Sequence, residues 1–352
     1  MTFIPDYTHL LDVMDNKRPP RLPLYEHIIS PAVMERILGT RFAALENGSP
    51  SEQAEFFAHY CRFFRDMTYD TVSYEVCITE VLPDHGAIMG GRPGPIQNRN
   101  DFERYPWCEI PDLFWIHAKS RFDNLCRSLP TGMKAVGGVG NGVFEIAEDL
   151  VGFEYLCYLQ VDDPKLFEDL FIRIGSLMGR IWKRFLEQYA GYFAVCRFGD
   201  DLGFKTGLLI SPETIRNSVI PRYRHFIDLV HSFGKPFLWH SCGCIFDVMD
   251  DVIAAGIDAK HSNEDIIAPF DVWISRYSDR IALLGGIDVD LLCRETPDDI
   301  VRQVVESGTR FRNNANGYAL GSGNSIPDYV PAEGYLAMIE AVRKIREMES
   351  VL

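Results

Sequence analysis

No run of lysines and arginines long enough to follow a phosphate backbone occurs in this chain. Its 35 basic residues face 50 acidic ones, for a formal charge of −15. That balance excludes an electrostatic grip on nucleic acid or on an anionic lipid surface. No window approaches the roughly 20 apolar residues needed to cross a bilayer. Met1–Asp6 places no charged stretch ahead of an apolar one, so no secretory leader is expected. The nine cysteines are odd in number and scattered between Cys61 and Cys293. They build no disulfide framework and read as the reduced thiols of a cytoplasmic protein.

What the chain does have is apolar mass, 47% of its residues, arranged in eight short segments. These are Arg21–His27, Asp70–Cys77, Met133–Gly140, Tyr192–Asp200, Pro236–Cys242, Ile257–His261, Ile281–Asp288 and Gly317–Ser322. Helix punctuation separates most of them. Ser49-Pro50-Ser51-Glu52 is a capping box with proline at the first helical position, and the helix it opens extends to about Met67. Asp163-Pro164, Ser211-Pro212, Thr296-Pro297 and Pro331 open others. Near-continuous apolar strands alternating with helices are those of a parallel sheet covered on both faces, and eight repeats predict a closed (β/α)8 TIM barrel. An open doubly wound sheet alternates likewise, but no phosphate-binding fingerprint follows the first strand. Gly137–Gly142 lacks the GxGxxG register and reads as a barrel-mouth loop. Residues 1–20 read as an N-terminal arm and 21–352 as one barrel domain. Within it, 81–112 is too long for a plain connection and reads as a lid-like insertion.

A parallel barrel carries its site at the carboxyl ends of its strands, and ionisable residues collect there in this sequence. The sharpest pair is His240 and Cys242. Positions i and i+2 of an extended chain share a face, so an imidazole and a thiolate reach one point, half of a tetrahedral zinc site. Gly243 lets the chain turn away after them. The plain alternative is a buried histidine and cysteine that only pack. Glu75 lies inside an apolar strand and requires a cation, a metal or a proton. His261 fits equally as a ligand, an acid–base group or a support for one. Glu26 and His27 read as a rim pair at least as well as a catalytic one, Asp201 as a turn cap, and Glu80 and Glu264 as solvated.

The segments Gly199-Asp200-Asp201-Leu202-Gly203, Ser211-Pro212-Glu213, Pro221-Arg222-Tyr223, His240-Ser241-Cys242-Gly243, Leu284-Gly285-Gly286-Ile287-Asp288 and Ile326-Pro327 resemble the uroporphyrinogen decarboxylase superfamily. Phe144-Glu145-Ile146-Ala147 adds to the resemblance. It is similar above all to the zinc-dependent corrinoid methyltransferase branch, which carries His-x-Cys. The family's fold is a (β/α)8 barrel. The arginine-rich segment that holds substrate carboxylates in porphyrinogen decarboxylases is missing here, where the chain reads Leu22-Pro23-Leu24-Tyr25-Glu26-His27. The coenzyme M-type members take a third zinc ligand from a Cys in the last strand's turn, and here Ser322 stands in that place. The related O-demethylases fit that departure better.

The resemblance therefore implies zinc held by His240, Cys242 and Glu75, with Cys77, Cys244 and Asp288 as reserves for the third place. It implies methyl transfer between a small methylated, methoxylated substrate and a corrinoid. No DxHxxG corrinoid motif appears, so the cobamide belongs to a separate corrinoid-binding protein. Glu75, Asp200 and His261 are the expected catalytic residues, the last two as proton donors. Tyr74, Trp107, Phe144, Phe204 and Trp239 are the expected substrate-pocket lining, and a homo-oligomer is compatible with the sequence. A metal-free decarboxylase or lyase, or a non-enzymatic binding barrel, are the competing readings.

Overall fold

In the computed structural model, which describes residues 3–351, seven parallel strands form one curled sheet. They are β1 (Thr71–Cys77), β2 (Lys134–Gly140), β3 (Phe193–Gly199), β6 (Phe237–His240), β7 (Ala259–His261), β8 (Ala282–Ile287) and β9 (Tyr318–Ser322). A two-stranded hairpin, β4 (Gly203–Phe204) and β5 (Gly207–Leu208), stands on the loop after β3. Each neighbouring pair in the sheet follows the chain order of a (β/α)8 barrel.

The eighth stave is the first apolar segment, and it is thinner than expected. Leu24 makes a single parallel bridge to Leu320, with Tyr25 N donating to Leu320 O (2.9 Å) and Leu320 N to Pro23 O (3.0 Å). Pro19, Pro20 and Pro23 lack the N–H groups a continuous ladder needs. Toward β1 the closure is made by a side chain: Ser73 Oγ donates to the His27 carbonyl at 2.7 Å.

The helices start where the capping residues stand. Ser49 and Glu52 form the reciprocal box that opens Pro50–Asp66, Asp163 caps Pro164–Tyr189, and Thr296 caps Pro297–Asn314. The segment opened by Ser211 passes through a wider-turn stretch, Ile215–Val219, before continuing as Ile220–Ser232. Gly137–Gly140 is the end of β2 rather than a loop. Among the described residues no helix is long and apolar enough to cross a membrane.

Two apolar cores follow from strand alternation. The larger lies between sheet and helices, and the smaller fills the barrel floor with Val136, Val195, Leu238, Ala259, Leu284 and Ala319. Part of the expected N-terminal arm supplies the plug of that floor. The helix Thr8–Met14 buries Leu10, Val13 and Met14, spaced i, i+3, i+4, against it. The insertion is pinned to the flank. Gly94 N and Ile96 N donate to Val151 O and Leu150 O (2.9 Å each), and Arg99 pairs with Asp169 at 2.6 Å. We expect Leu10→Ala to lower unfolding free energy in urea by roughly 2–5 kcal/mol, as for a buried leucine. A loss under about 0.5 kcal/mol, the surface value, would show that Leu10 is not packed into the barrel floor.

Candidate active site

Register builds the site as an inward row. Gly199 pairs with His240 and His240 with His261, so three adjacent strands bring these positions side by side at the mouth. His261 Nε2 lies 3.0 Å from the Ser322 carbonyl, which only accepts, so that nitrogen carries the proton. Burial pushes His261 down to about 3, so the ring is neutral and its Nδ1 bears a lone pair. His240 Nδ1, 2.9 Å away, must then donate to it. Burial, reinforced by His261, holds His240 well below the ordinary histidine range as well. Its Nε2 is therefore bare, and it faces Cys242 Sγ at 3.5 Å.

That separation is itself informative. Zinc bonds of about 2.0 Å to nitrogen and 2.3 Å to sulfur, set at a tetrahedral angle, place the two donors about 3.5 Å apart. Asp201 completes a group of three. Its Oδ1 accepts from Cys242 N at 2.8 Å and lies 4.0 Å from His240 Nε2, and all three ligand atoms fall within 4.8 Å of one another. Gly243 makes the turn after Cys242 with φ 85°, where an added Cβ would lie 2.0 Å from the backbone carbon of Gly203. Burial, then Asp201 and Glu264, push the Cys242 thiol up, so a thiolate there requires a cation beside it. Asn324 Nδ2 donates to Cys242 Sγ (3.4 Å) and to Glu264 Oε1 (3.0 Å).

A second trio, His27, His240 and His261, also lies close together. Its rings are arranged against chelation. His27 stacks on His240 with centroids 3.7 Å apart and planes at 14°, so their in-plane lone pairs run parallel instead of converging. The nitrogens between His240 and His261 are spent on each other.

Glu75, expected as a metal ligand and catalytic group, is instead the ion-pair partner of Arg197. Its Oε2 accepts from Arg197 Nε (3.0 Å) and Nη2 (2.8 Å). Arg197 is wholly buried and spends Nη1 on Tyr25 Oη, Ser73 Oγ and the His27 carbonyl. The cation that Glu75 needs is thus an arginine two strands away. Of the reserves, Asp288 caps Val289–Arg294, and neither Cys77 nor Cys244 joins a converging group among the described residues. Ser322 gives its N–H to Glu26 Oε1 (2.8 Å) and its hydroxyl to Glu26 Oε2 (2.6 Å).

Asp200, expected as a proton donor, is a pin. Its carboxylate accepts from Phe144 N (3.1 Å), Glu145 N (2.8 Å) and Tyr223 Oη (2.6 Å), tying β3 to the start of the helix Val143–Val151. Burial lifts Asp200 above its ordinary range against those three donors. It lifts Glu145 well above, with Asp200 and Asp201 adding to it. Glu145 does reach the mouth. A Cβ built on Gly199 would lie 3.4 Å from His240 Cδ2 and 4.0 Å from both Glu145 Oε1 and His27 Nε2. His261 supports His240 with both ring nitrogens engaged, which leaves it no free proton for a substrate.

Four of the five expected pocket residues face away. Tyr74 packs on Phe57 and Tyr60 and bonds Glu46, while Trp107 donates to Phe102 O within the insertion. Phe144 and Trp239 are buried in the core between sheet and helices. Only Phe204, 61% exposed on the hairpin, stands at the rim, where its carbonyl accepts from Cys244 N. A cavity of about 410 Å³ beside Asn324 is lined by Lys205, Glu264, Ile266, Asp288 and Tyr329. A larger groove of about 930 Å³ lies on the flank between the helices Pro50–Asp66 and Ile110–Ser128, away from every converging donor group.

Beyond the expected site residues, the mouth draws on Asp201, read from the sequence as a turn cap, and on Arg197, Glu145, Asn324 and Lys260, to which the sequence assigned no role. Arg197 had a signal: one cation and one anion, each alone in an apolar strand, must meet. Lys260, wholly buried behind β7, gives its ammonium to the Ser262 and Ser241 carbonyls and stands 4.4 Å over the Trp273 ring. Burial pushes it down to about 7.

Fold and site together define a (β/α)8 enzyme whose mouth gathers a histidine, a cysteine and a carboxylate. The chain belongs to the uroporphyrinogen decarboxylase family, whose sequence model, Uroporphyrinogen decarboxylase (URO-D), matches residues 94–345. It is 25% identical to a uroporphyrinogen decarboxylase from Streptomyces coelicolor over 271 residues, 75% of this chain and 70% of that protein. Its fold is similar to that of a methyltransferase from Methanosarcina mazei, with a TM-score of 0.72 at 18% identity, covering 96% of this chain and 98% of that one.

Burial lifts Glu26 to about 8 from an ordinary 4.5, against the two Ser322 bonds. The folded state thus holds a proton that the unfolded state releases, and stability falls as pH rises from about 4.5 to 8. Glutamine keeps the Ser322 N–H bond at its oxygen, can donate its amide N–H to a turned Ser322 hydroxyl, and has no such proton. We expect Glu26→Gln to match the parent near pH 5 and to exceed it above pH 8 by on the order of a few kcal/mol, read from melts across pH. A difference that does not change with pH would show Glu26 to be charged throughout.

Proposed function

We propose that this protein is a zinc-dependent methyltransferase that moves a methyl group between a small methoxylated compound and a corrinoid carried by a partner protein in the cytoplasm. The observation that carries the reading is the bare His240 Nε2 set 3.5 Å from Cys242 Sγ, with Asp201 beside them. These three would hold the ion and leave one position open, as catalytic zinc requires. Bound zinc supplies a Lewis acid that weakens the bond between the donor's heteroatom and its methyl group, so that a reduced corrinoid can accept it.

The rest is the work of the chain's own groups. Gly199 carries no side chain toward His240, and an added Cβ there would touch His240, His27 and Glu145, so β3 leaves the space beside these groups clear. Glu145 faces that space with Oε2 held by Asn141 at 2.9 Å and Oε1 accepting from Asp201 N at 3.3 Å. Asn324 donates to the cysteine sulfur, which tempers its charge. Phe204 at the rim, with Ile266 and Tyr329 in the adjoining cavity, offers apolar contact to a methoxylated ring.

A decarboxylase of the kind found in Streptomyces coelicolor is the second reading, and the named relative favours it. Against it stands the commitment of Arg197, which is wholly buried with Nε, Nη1 and Nη2 all engaged by Glu75, Tyr25, Ser73 and the His27 carbonyl.

Metal analysis of protein purified without added zinc separates the two. We expect about one zinc per chain, lost in His240→Ala/Cys242→Ala, weakened in Asp201→Asn and kept in Glu75→Gln. We also expect aryl methyl ethers to methylate Co(I) cobalamin only with the zinc-loaded protein. Protein that is metal-free and decarboxylates a porphyrinogen carboxylate would replace this reading with the second.

A further inference from the structure

His240, His261, Ser322 and Glu26 form an unbroken chain of hydrogen bonds across three strands and the eighth stave. Glu26 accepts both the N–H and the O–H of Ser322, which fixes that peptide at the end of β9. The Ser322 carbonyl accepts from His261 Nε2 at 3.0 Å. His261 Nδ1 accepts from His240 Nδ1 at 2.9 Å. All four residues are buried, so water does not compete for these bonds. Histidine ligands of metals usually donate their second nitrogen to a carboxylate, a carbonyl or water. Here a second imidazole takes that place, and it does so only while its own proton is held on the far nitrogen.

We propose that His261 is a positioning residue that holds His240 in the Nδ1–H tautomer, with its Nε2 lone pair toward Cys242, and that Ser322 and Glu26 set the tautomer of His261 in turn. The reading gives Ser322 a use at a position where the resembling methyltransferases carry a ligand: its hydroxyl and amide go to Glu26 and its carbonyl orients His261. It also removes His261 from the proton donors, because donation from Nε2 would break the bond that orients His240. Only the metal arm of the test rests on the proposed zinc centre.

The tautomers are read directly in full-length, metal-free protein labelled with 15N histidine, by two-bond 1H–15N correlation. We expect His240 protonated on Nδ1 and bare on Nε2, and His261 the reverse. His261→Phe should give His240 averaged nitrogen shifts and weaken zinc binding roughly 10–100-fold in chelator competition. His261→Gln, whose side-chain oxygen accepts, should restore both. Cobalt-loaded protein adds a second readout: its visible spectrum should change in His261→Phe and return in His261→Gln.

A proton on His240 Nε2 in the parent overturns the inference. So does His261→Phe that folds with unchanged His240 shifts and zinc affinity. If His261→Phe does not fold, the parent's shifts alone decide. If the parent binds no zinc, the metal reading falls while the nitrogen shifts still settle the relay.

Discussion

A guanidinium sealed inside the barrel decides where the other charges at this mouth stand. Arg197 sits on β3 with no exposure, and a buried cation of that size must be met by an anion and by acceptors for every N–H. Glu75, reaching from β1 across β2, supplies the anion, and Tyr25, Ser73 and the His27 carbonyl supply the remaining acceptors. The pair ties the thin eighth stave to the body of the barrel at the point where backbone pairing is lacking. It also commits the Glu75 carboxylate, which is therefore not free to bind a metal. The third acidic donor therefore comes from the loop after β3, where Asp201 is held against the Cys242 amide.

Above that pair lies a row of neutral imidazoles whose protons are assigned by what surrounds them. A carbonyl that only accepts sets His261, and His261 sets His240. Neutrality is imposed by burial, which opposes charge on all three rings. The result is a lone pair at a fixed place, prepared before any ion arrives, and a thiol whose ionisation waits for one. Lys260, beneath the strand-end loops, gives its Nζ to the Ser241 carbonyl, between His240 and Cys242, and to the Ser262 carbonyl, just after His261.

Most of the fold was legible in the sequence because apolar strands and helix caps are local signals. Ser49, Asp163 and Thr296 each cap the helix they announce. The plug helix escaped notice because it is short, although Leu10, Val13 and Met14 already have helical spacing. His240 and Cys242 were legible as a pair sharing one side of an extended chain. Glu75 was legible as a carboxylate in need of a partner, but its partner lies 122 residues away and no local pattern names it.

The expected pocket failed on strand parity. Neighbours in a strand face opposite ways. With Glu75 and His240 inward, Tyr74 and Trp239 had to face the helices. Asp201 lies just past a strand end, where alternation no longer constrains direction, and only the folded loop brings it to Cys242.

The central claim is that His240, Cys242 and Asp201 converge on one metal ion. A crystal structure of protein grown in zinc, with anomalous diffraction recorded on both sides of the zinc edge, addresses it most directly. The account requires a peak about 2.0 Å from His240 Nε2 and 2.3 Å from Cys242 Sγ, with Asp201 turned to meet it and Glu75 still on Arg197. A peak on Glu75, or none near Cys242 with the ion bound elsewhere, would contradict it.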